Sequence, residues 1–227
     1  MADRTEEDRT VQILHTGFVT HDVKQFVVTR PEGFDYQPGQ GVTLAVDQGE
    51  WEGKGRPFTP TGRADEPVLE FTIKAYPARD GVTDKLHELD AGARLQISDP
   101  FGTIVYRGPG TFIAAGAGVT PFLAILRQSD APGELEGCSL LFTNKSPRDV
   151  IAEKELRHLL GDRLHLTCTR TSAPGYDHRR LDRSYLEERV EDPSGRFYVC
   201  GPPEFVEDTV QALTKMGAAR DRIVLEE

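Results

Sequence analysis

The 227-residue chain has no long apolar run. Its longest nearly apolar stretch, residues 112–126, is about 15 residues and holds two glycines and a proline, short of the roughly 20 that a membrane-spanning helix needs. No membrane anchor is expected. The first nine residues, Met1-Ala2-Asp3-Arg4-Thr5-Glu6-Glu7-Asp8-Arg9, are polar and mixed in charge, which fits neither a secretion signal nor a transit peptide. A cytoplasmic location is therefore the expectation. Cysteine is scarce: Cys138, Cys168 and Cys200 stand about thirty residues apart, with none of the close spacings that hold zinc or an iron–sulfur cluster. Free thiols and no metal are expected. Basic charge is also lacking, since 27 Lys and Arg face 37 Asp and Glu for a formal charge of −10. That balance argues against a nucleic-acid partner, whose phosphates demand clustered cations. The one local concentration of basic residues, His178-Arg179-Arg180 with Arg183, leaves room for an anionic small molecule at a defined spot.

What is present describes a globular protein large enough for one large domain or two of ordinary size. Residues 10–106 read as short strands at 11–14, 25–30, 42–46, 58–61, 68–74 and 95–98, separated by Gly, Pro and Asp clusters, with one short helix at 83–89. This pattern predicts an antiparallel barrel or sandwich. Alternation is clearest in Leu69-Glu70-Phe71-Thr72-Ile73-Lys74, which puts Leu69, Phe71 and Ile73 on one face. From residue 111 the rhythm changes. Strands at 111–115, 139–143, 164–169, 197–200 and 223–225 alternate with helical patterns near 121–128, 149–160, 183–190 and 204–216, which predicts a doubly wound α/β domain on a five-stranded parallel sheet. Asp182 and Pro203 suit helix starts and Gly217 a helix stop. The division falls at Arg107-Gly108-Pro109-Gly110, giving domains of 10–107 and 108–227.

Ligands in open α/β sheets bind beyond the carboxyl ends of the strands, where strand order reverses, so loops 116–120, 144–148, 170–180 and 201–203 are the ones to inspect. The first is Gly116-Ala117-Gly118-Val119-Thr120-Pro121. Its glycines permit close backbone approach, Thr120 can cap, and Pro121 suits the first helical turn. A helix start left open in this way attracts phosphate. Proline stands where the usual dinucleotide fingerprint has its third glycine. Arg56-Pro57-Phe58-Thr59 puts a cation, a ring and a hydroxyl on one extended segment, with Arg56 and Phe58 on one face and Thr59 on the other unless the prolines bend it. Gly81-Val82-Thr83 opens the short helix after a turn at 75–80, and Cys200-Gly201-Pro202-Pro203 ends a strand with a thiol.

These four motifs, in this order, resemble the ferredoxin–NADP reductase superfamily, flavoproteins in which a flavin-binding barrel is joined to a nicotinamide-nucleotide domain. The resemblance covers residues 10–227. It implies that Arg56 pairs with the flavin pyrophosphate, Phe58 stacks on the isoalloxazine with Pro57 between them, and Thr59 meets flavin N5. It implies further that Thr72, Ile73 and Lys74 line the flavin through their strand, and that Gly81, Val82 and Thr83 hold phosphate through backbone amides. Gly116, Gly118 and Thr120 would shape the nucleotide site, Cys200, Gly201 and Pro202 would flank the nicotinamide, and Glu226 matches a family carboxylate. Thr169, Arg170 and Arg180 resemble positions that hold the 2′-phosphate of NADPH. Two departures stand out. Phe58 replaces a tyrosine common in relatives, and Leu225-Glu226-Glu227 stands where plant-type members carry an aromatic cover. A short loop at 76–81 would grip an adenine weakly, so FMN stays open beside FAD. The implied activity is hydride transfer from NADPH or NADH to flavin, catalysed with Thr59, Thr120, Cys200 and Glu226. Electrons would then pass to a separate acceptor such as ferredoxin, flavodoxin or an oxygenase component, in a monomer. A free-flavin reductase and a flavin-binding electron-transfer subunit are the alternatives.

Overall fold

A computed structural model of the chain describes residues 9–47, 51, 53–76, 81–102, 104–129 and 133–226. Six antiparallel strands form the first sheet: β1 (Arg9–Phe18), β2 (Val23–Thr29), β3 (Val42–Val46), β4 (Arg56–Phe58), β5 (Val68–Lys74) and β6 (Arg94–Ile97), in the order β4-β3-β6-β1-β2-β5. The sheet nearly closes on itself, because Pro60 bridges to Phe71 and the Thr61 amide donates to the Glu70 carbonyl at 2.7 Å. Leu69, Phe71 and Ile73 point into the barrel core as their alternation predicts, and the helix α1 (Val82–His87) adds Val82 and Leu86 to it. The opposite face of β5 presents Glu70, Thr72 and Lys74, a polar stripe on the outside of the barrel.

The second sheet is parallel, with β7 (Thr111–Ala115), β8 (Ser139–Asn144), β9 (Leu164–Cys168), β10 (Phe197–Cys200) and β11 (Ile223–Leu225) in the order β11-β10-β7-β8-β9. Helices α2 (Thr120–Gln128) and α3 (Glu153–Leu160) cover one face, and α4 (Arg183–Arg189) and α5 (Pro203–Lys215) the other. The doubly wound expectation is met. Asp182 accepts from the Tyr185 amide as the cap of α4, Pro203 begins α5, and Gly217 follows that helix at φ 102°. Tyr198 ties the junction between the two sheets, accepting from the Arg107 amide at 2.9 Å and donating to the Gly108 carbonyl at 2.7 Å.

Helix α2 is buried at every position from Pro121 to Leu126, the signature of a helix with packing on all sides. The parallel sheet lies on one side, and barrel residues reach it from the other: Val23 joins its core cluster, and a side chain at Gly39 would meet the Ile104 carbonyl and the Ile125 side chain.

Three expectations need correction. The helix expected over 149–160 begins at Glu153: Pro147–Asp149 forms a 3-10 turn and Ala152 is left-handed at φ 53°, because Val150 and Ile151 are drawn into the core and the chain must bend to bury them. The strand expected at 58–61 ends at Phe58, since residues 60 and 61 cross over to close the barrel. Thr120 does not cap. Gly116–Val119 winds as a 3-10 turn straight into α2, and the Thr120 hydroxyl donates back to the Ala117 carbonyl at 3.0 Å. The turn expected at 75–80 and the loop at 76–81 fall largely on residues 77–80, outside the described residues.

Candidate functional site

Strand order in the parallel sheet decides which loops matter. The chain runs β7, β8, β9 outward and returns to β10 on the other side of β7, so order reverses between β7 and β10. A crevice forms at such a point. Its two walls are the turn after β7, at Gly116–Val119, and the turn after β10, at Cys200, Gly201 and Pro202. They touch through backbone: a Cβ on Gly118 would lie 2.4 Å from the Cys200 carbonyl oxygen and 2.7 Å from Gly201 Cα. Gly116 differs. Its φ is +55° and a Cβ there would meet nothing within 4 Å, which leaves open space beside the turn.

Cys200 is 5% exposed and donates its thiol to Glu226 Oε2 at 3.4 Å. Burial, then the Glu226 charge and this hydrogen bond, push its pKa far above the ordinary thiol range. The thiol therefore stays protonated and cannot serve as a thiolate nucleophile. A cavity of about 590 Å³ opens beside it, lined by Val206, Glu207, Arg220 and Glu226 among others. All three cysteines are free and buried.

Farther along the carboxyl edge of the sheet, buried polar atoms have no hydrogen-bond partner among the described residues: Thr143 Oγ1, Thr167 Oγ1 and both side-chain atoms of Asn144. Unpaired buried groups of this kind call for an explanation. Thr169 and Arg170 follow β9, with the Thr169 amide donating to the Asn144 carbonyl and the Arg170 amide to that of Lys145, each at 2.9 Å. Arg170 and Arg180 are exposed, and neither forms an ion pair among the described residues. Their neighbours in sequence differ: Arg179 is bound to Glu188 and Arg183 to Glu187. Lys145, also exposed, is an addition that charge counting along the sequence did not single out, because only β8–β9 pairing brings it next to Arg170.

On the barrel, Arg56 is exposed and its guanidinium donates to the neighbouring Gly55 carbonyl at 2.9 Å, its one side-chain hydrogen bond among the described residues. Pro57 is exposed and Phe58 half-buried against the barrel core. Thr59 is 8% exposed, and its hydroxyl has no partner among the described residues. Thr72 shares a 3.1 Å hydrogen bond with Thr61, Ile73 is buried in the core, and the Lys74 ammonium is paired with Asp22. Gly81 precedes α1 with its amide 3.5 Å from Asp84 Oδ2, while Val82 is buried and Thr83 half-buried. One group of potential metal ligands gathers among the described residues, His21 with Asp22 and Asp149. The Lys74 ammonium pairs with Asp22 there.

The sequence matches two domain families: the oxidoreductase FAD-binding domain over residues 10–106 and the oxidoreductase NAD-binding domain over residues 112–211. It is 28% identical over 214 residues to the ferredoxin–NAD(P)(+) reductase component of the naphthalene 1,2-dioxygenase system of Pseudomonas putida, covering 90% of this chain and 64% of that protein. It is 26% identical over 211 residues to NADH-cytochrome b5 reductase 2 of Mycosarcoma maydis, covering 82% and 59%. The chain thus spans about three fifths of the length of these curated relatives. Its fold is that of the FAD/NAD-binding domain of nitric oxide dioxygenase from Vibrio cholerae O1 biovar El Tor, with TM-score 0.86 at 23% identity over 96% of this chain and 98% of that one. No helix of the described residues is long and apolar enough to cross a membrane.

Proposed function

The chain belongs to the oxidoreductase family that joins an FAD-binding domain to an NAD-binding domain, and we propose that it is an NAD(P)H-dependent reductase delivering electrons to a separate redox protein such as a ferredoxin, a flavodoxin or an oxygenase component. The observation that carries this reading is the docking, within one chain, of the FAD-binding barrel onto the helix that begins at the nucleotide crevice. Relatives named for both an oxygenase system and cytochrome b5 support a separate acceptor without choosing among acceptors. We divide the chain at residues 107–110.

The residues present fit both groups. Among the described residues the Thr59 hydroxyl has no partner, Arg56 keeps most of its donors, and the space at Gly116 and the unpaired groups of Asn144 and Thr143 lie along the carboxyl edge where a nucleotide binds. When bound, nicotinamide supplies the hydride and flavin accepts it, so the hard chemistry belongs to the cofactors.

The chain's part is alignment. Thr59 would hydrogen-bond flavin N5, the half-buried Phe58 would stack its ring on the flavin, and Arg56 would pair with the pyrophosphate through its forked guanidinium. Thr72, Ile73 and Lys74 contribute backbone, since their side chains are engaged by Thr61, the core and Asp22. Gly81, Val82 and Thr83 offer amides, with Asp84 competing for the first. On the nucleotide wall, Gly116, Gly118 and Thr120 set the turn, and Cys200, Gly201 and Pro202 bear on the nicotinamide, the thiol held in place by Glu226. No general base is required. Arg170 and Arg180, exposed and without an ion pair among the described residues, with Thr169 beside the first, suit a 2′-phosphate, which favours NADPH over NADH.

Anaerobic titration of the flavin-loaded protein with each nucleotide tests the reading. Bleaching of the flavin is expected, faster with NADPH, and Arg170→Ala should lose that preference while keeping its rate with NADH. A yellow protein that neither nucleotide bleaches overturns the reading in favour of an electron-transfer subunit. Equal loss with both nucleotides removes Arg170 from the 2′-phosphate.

A further inference from the structure

Arg127 lies near the C-terminal end of α2, two turns from the nucleotide crevice, and sequence patterning gives it no special role. In the structure its guanidinium bonds to both the α/β domain and the barrel. Its Nε and Nη2 grip both oxygens of Glu155 on α3, at 2.6 and 2.8 Å. That bidentate pair fixes the plane of the guanidinium. The remaining arm, Nη1, crosses to the barrel, donating to the Thr61 carbonyl at 2.7 Å and to Glu70 Oε1 at 2.5 Å. The return contacts run along the same seam, with Arg63 Nη1 donating to the Arg127 carbonyl at 3.3 Å and the Ala64 amide to Gln128 Oε1 at 2.8 Å. Arg127 is 18% exposed and Glu70 16%. Burial alone opposes the Arg127 charge, but the hydrogen bonds and charges of Glu155 and Glu70 outweigh it and hold the guanidinium protonated.

The barrel groups it grips are not arbitrary. Thr61 is two residues from Thr59 on one extended segment, and its hydroxyl contacts both Glu70 and Thr72. The other end of α2 is the Gly116–Val119 turn, pressed against the Cys200 carbonyl. A short helix packed on all sides moves as a unit, so a shift at Arg127 is carried to Thr120. We propose that Arg127 is a positioning residue that sets the distance between the flavin wall at Thr59 and Thr72 and the nicotinamide wall at Thr120 and Cys200. The inference rests on the reductase reading above. Through Thr61 and Glu70, the guanidinium holds the two rings in register for hydride transfer while touching neither.

The test uses the whole flavin-loaded chain. Arg127→Met keeps the apolar stem and removes every arm, Arg127→Lys keeps charge without the fork, and Glu70→Ala removes one barrel partner from the opposite side. Arg127→Met should retain wild-type flavin content yet reduce flavin at least tenfold more slowly. The long-wavelength charge-transfer absorbance of the reduced flavin–NAD(P)+ complex should weaken, since that band reports ring overlap rather than turnover. Lysine should restore part of both. Should Arg127→Met fail to fold, Glu70→Ala is expected to show the same two losses to a smaller degree. A folded Arg127→Met or Glu70→Ala protein with the wild-type band and reduction rate overturns the inference. Failure of the wild-type flavin to be reduced by either nucleotide is a different result, and defeats the reductase reading itself.

Discussion

Replacing Gly118 by alanine should damage nucleotide use far more than it damages the fold. Gly118 needs no unusual backbone angle, so the effect is a matter of space. Its new methyl would sit 2.4 Å from the Cys200 carbonyl oxygen, 2.6 Å from the Cys200 carbonyl carbon and 2.7 Å from Gly201 Cα. All three are backbone atoms, which cannot swing aside as a side chain does. Restoring ordinary contact requires the two turns to part by about 1 Å. Overpacking of this kind costs about 1–3 kcal/mol of stability, and a misplacement of about 1 Å at a reacting centre costs on the order of 10²-fold in rate. Flavin content should be unchanged, because the barrel is untouched. Gly92→Ala is the control. Gly92 has φ +96° and open space around its Cα, so alanine there is strained by about 1–2 kcal/mol but lies on a barrel loop remote from the crevice. The assay is stopped-flow flavin reduction across nucleotide concentrations, beside a denaturant unfolding curve for each variant. Gly118→Ala should lose reduction rate and nucleotide affinity, whereas Gly92→Ala should lose only stability. A Gly118→Ala protein with wild-type reduction kinetics would show that the Gly118–Cys200 contact is packing alone.

Two further outcomes are expected. Thr59→Ala removes a hydroxyl assigned to the reacting atom, so flavin reduction should slow by about tenfold while flavin affinity changes little; a wild-type reduction rate would release Thr59 from the mechanism. His87 bears on acid stability. Burial lowers its pKa, and the Lys24 charge adds to this, against the opposing effects of the Ile73 carbonyl and of Asp84 and Asp22. A base with a depressed folded pKa contributes fully above its unfolded value of about 6.5 and loses that contribution as pH falls through 6.5 toward the folded value. Unfolding free energy should therefore decline on acidification below about pH 6.5, and His87→Gln should flatten that decline, with an unchanged slope counting against the assignment.

Much of the architecture was legible from local pattern, for a physical reason: hydrophobic periodicity is imposed residue by residue. Leu69, Phe71 and Ile73 fill the barrel because side chains alternate along a strand. The strand–helix rhythm after residue 111 has few solutions other than a parallel sheet covered on both faces. Asp182, Pro203 and Gly217 act at helix ends through their own backbone chemistry and needed no partner to be read. Even local rules yielded where burial competed, as at Ala152, whose left-handed turn delivers Val150 and Ile151 to the core. Thr120 gave up its capping role because the glycine turn wound directly into α2.

The sequence by itself determined that a β-rich half precedes an α/β half, and which motifs carry the candidate chemistry. Only the tertiary structure decided which of four loops face each other, because strand order is a long-range property and only the observed β10-β7 adjacency sets Gly118 on Cys200. It alone selected Arg127 from 27 basic residues, by bringing Thr61 and Glu70 within reach across 66 and 57 positions of chain. Contacts at such separations depend on the packing of whole elements, and no window of sequence contains both partners.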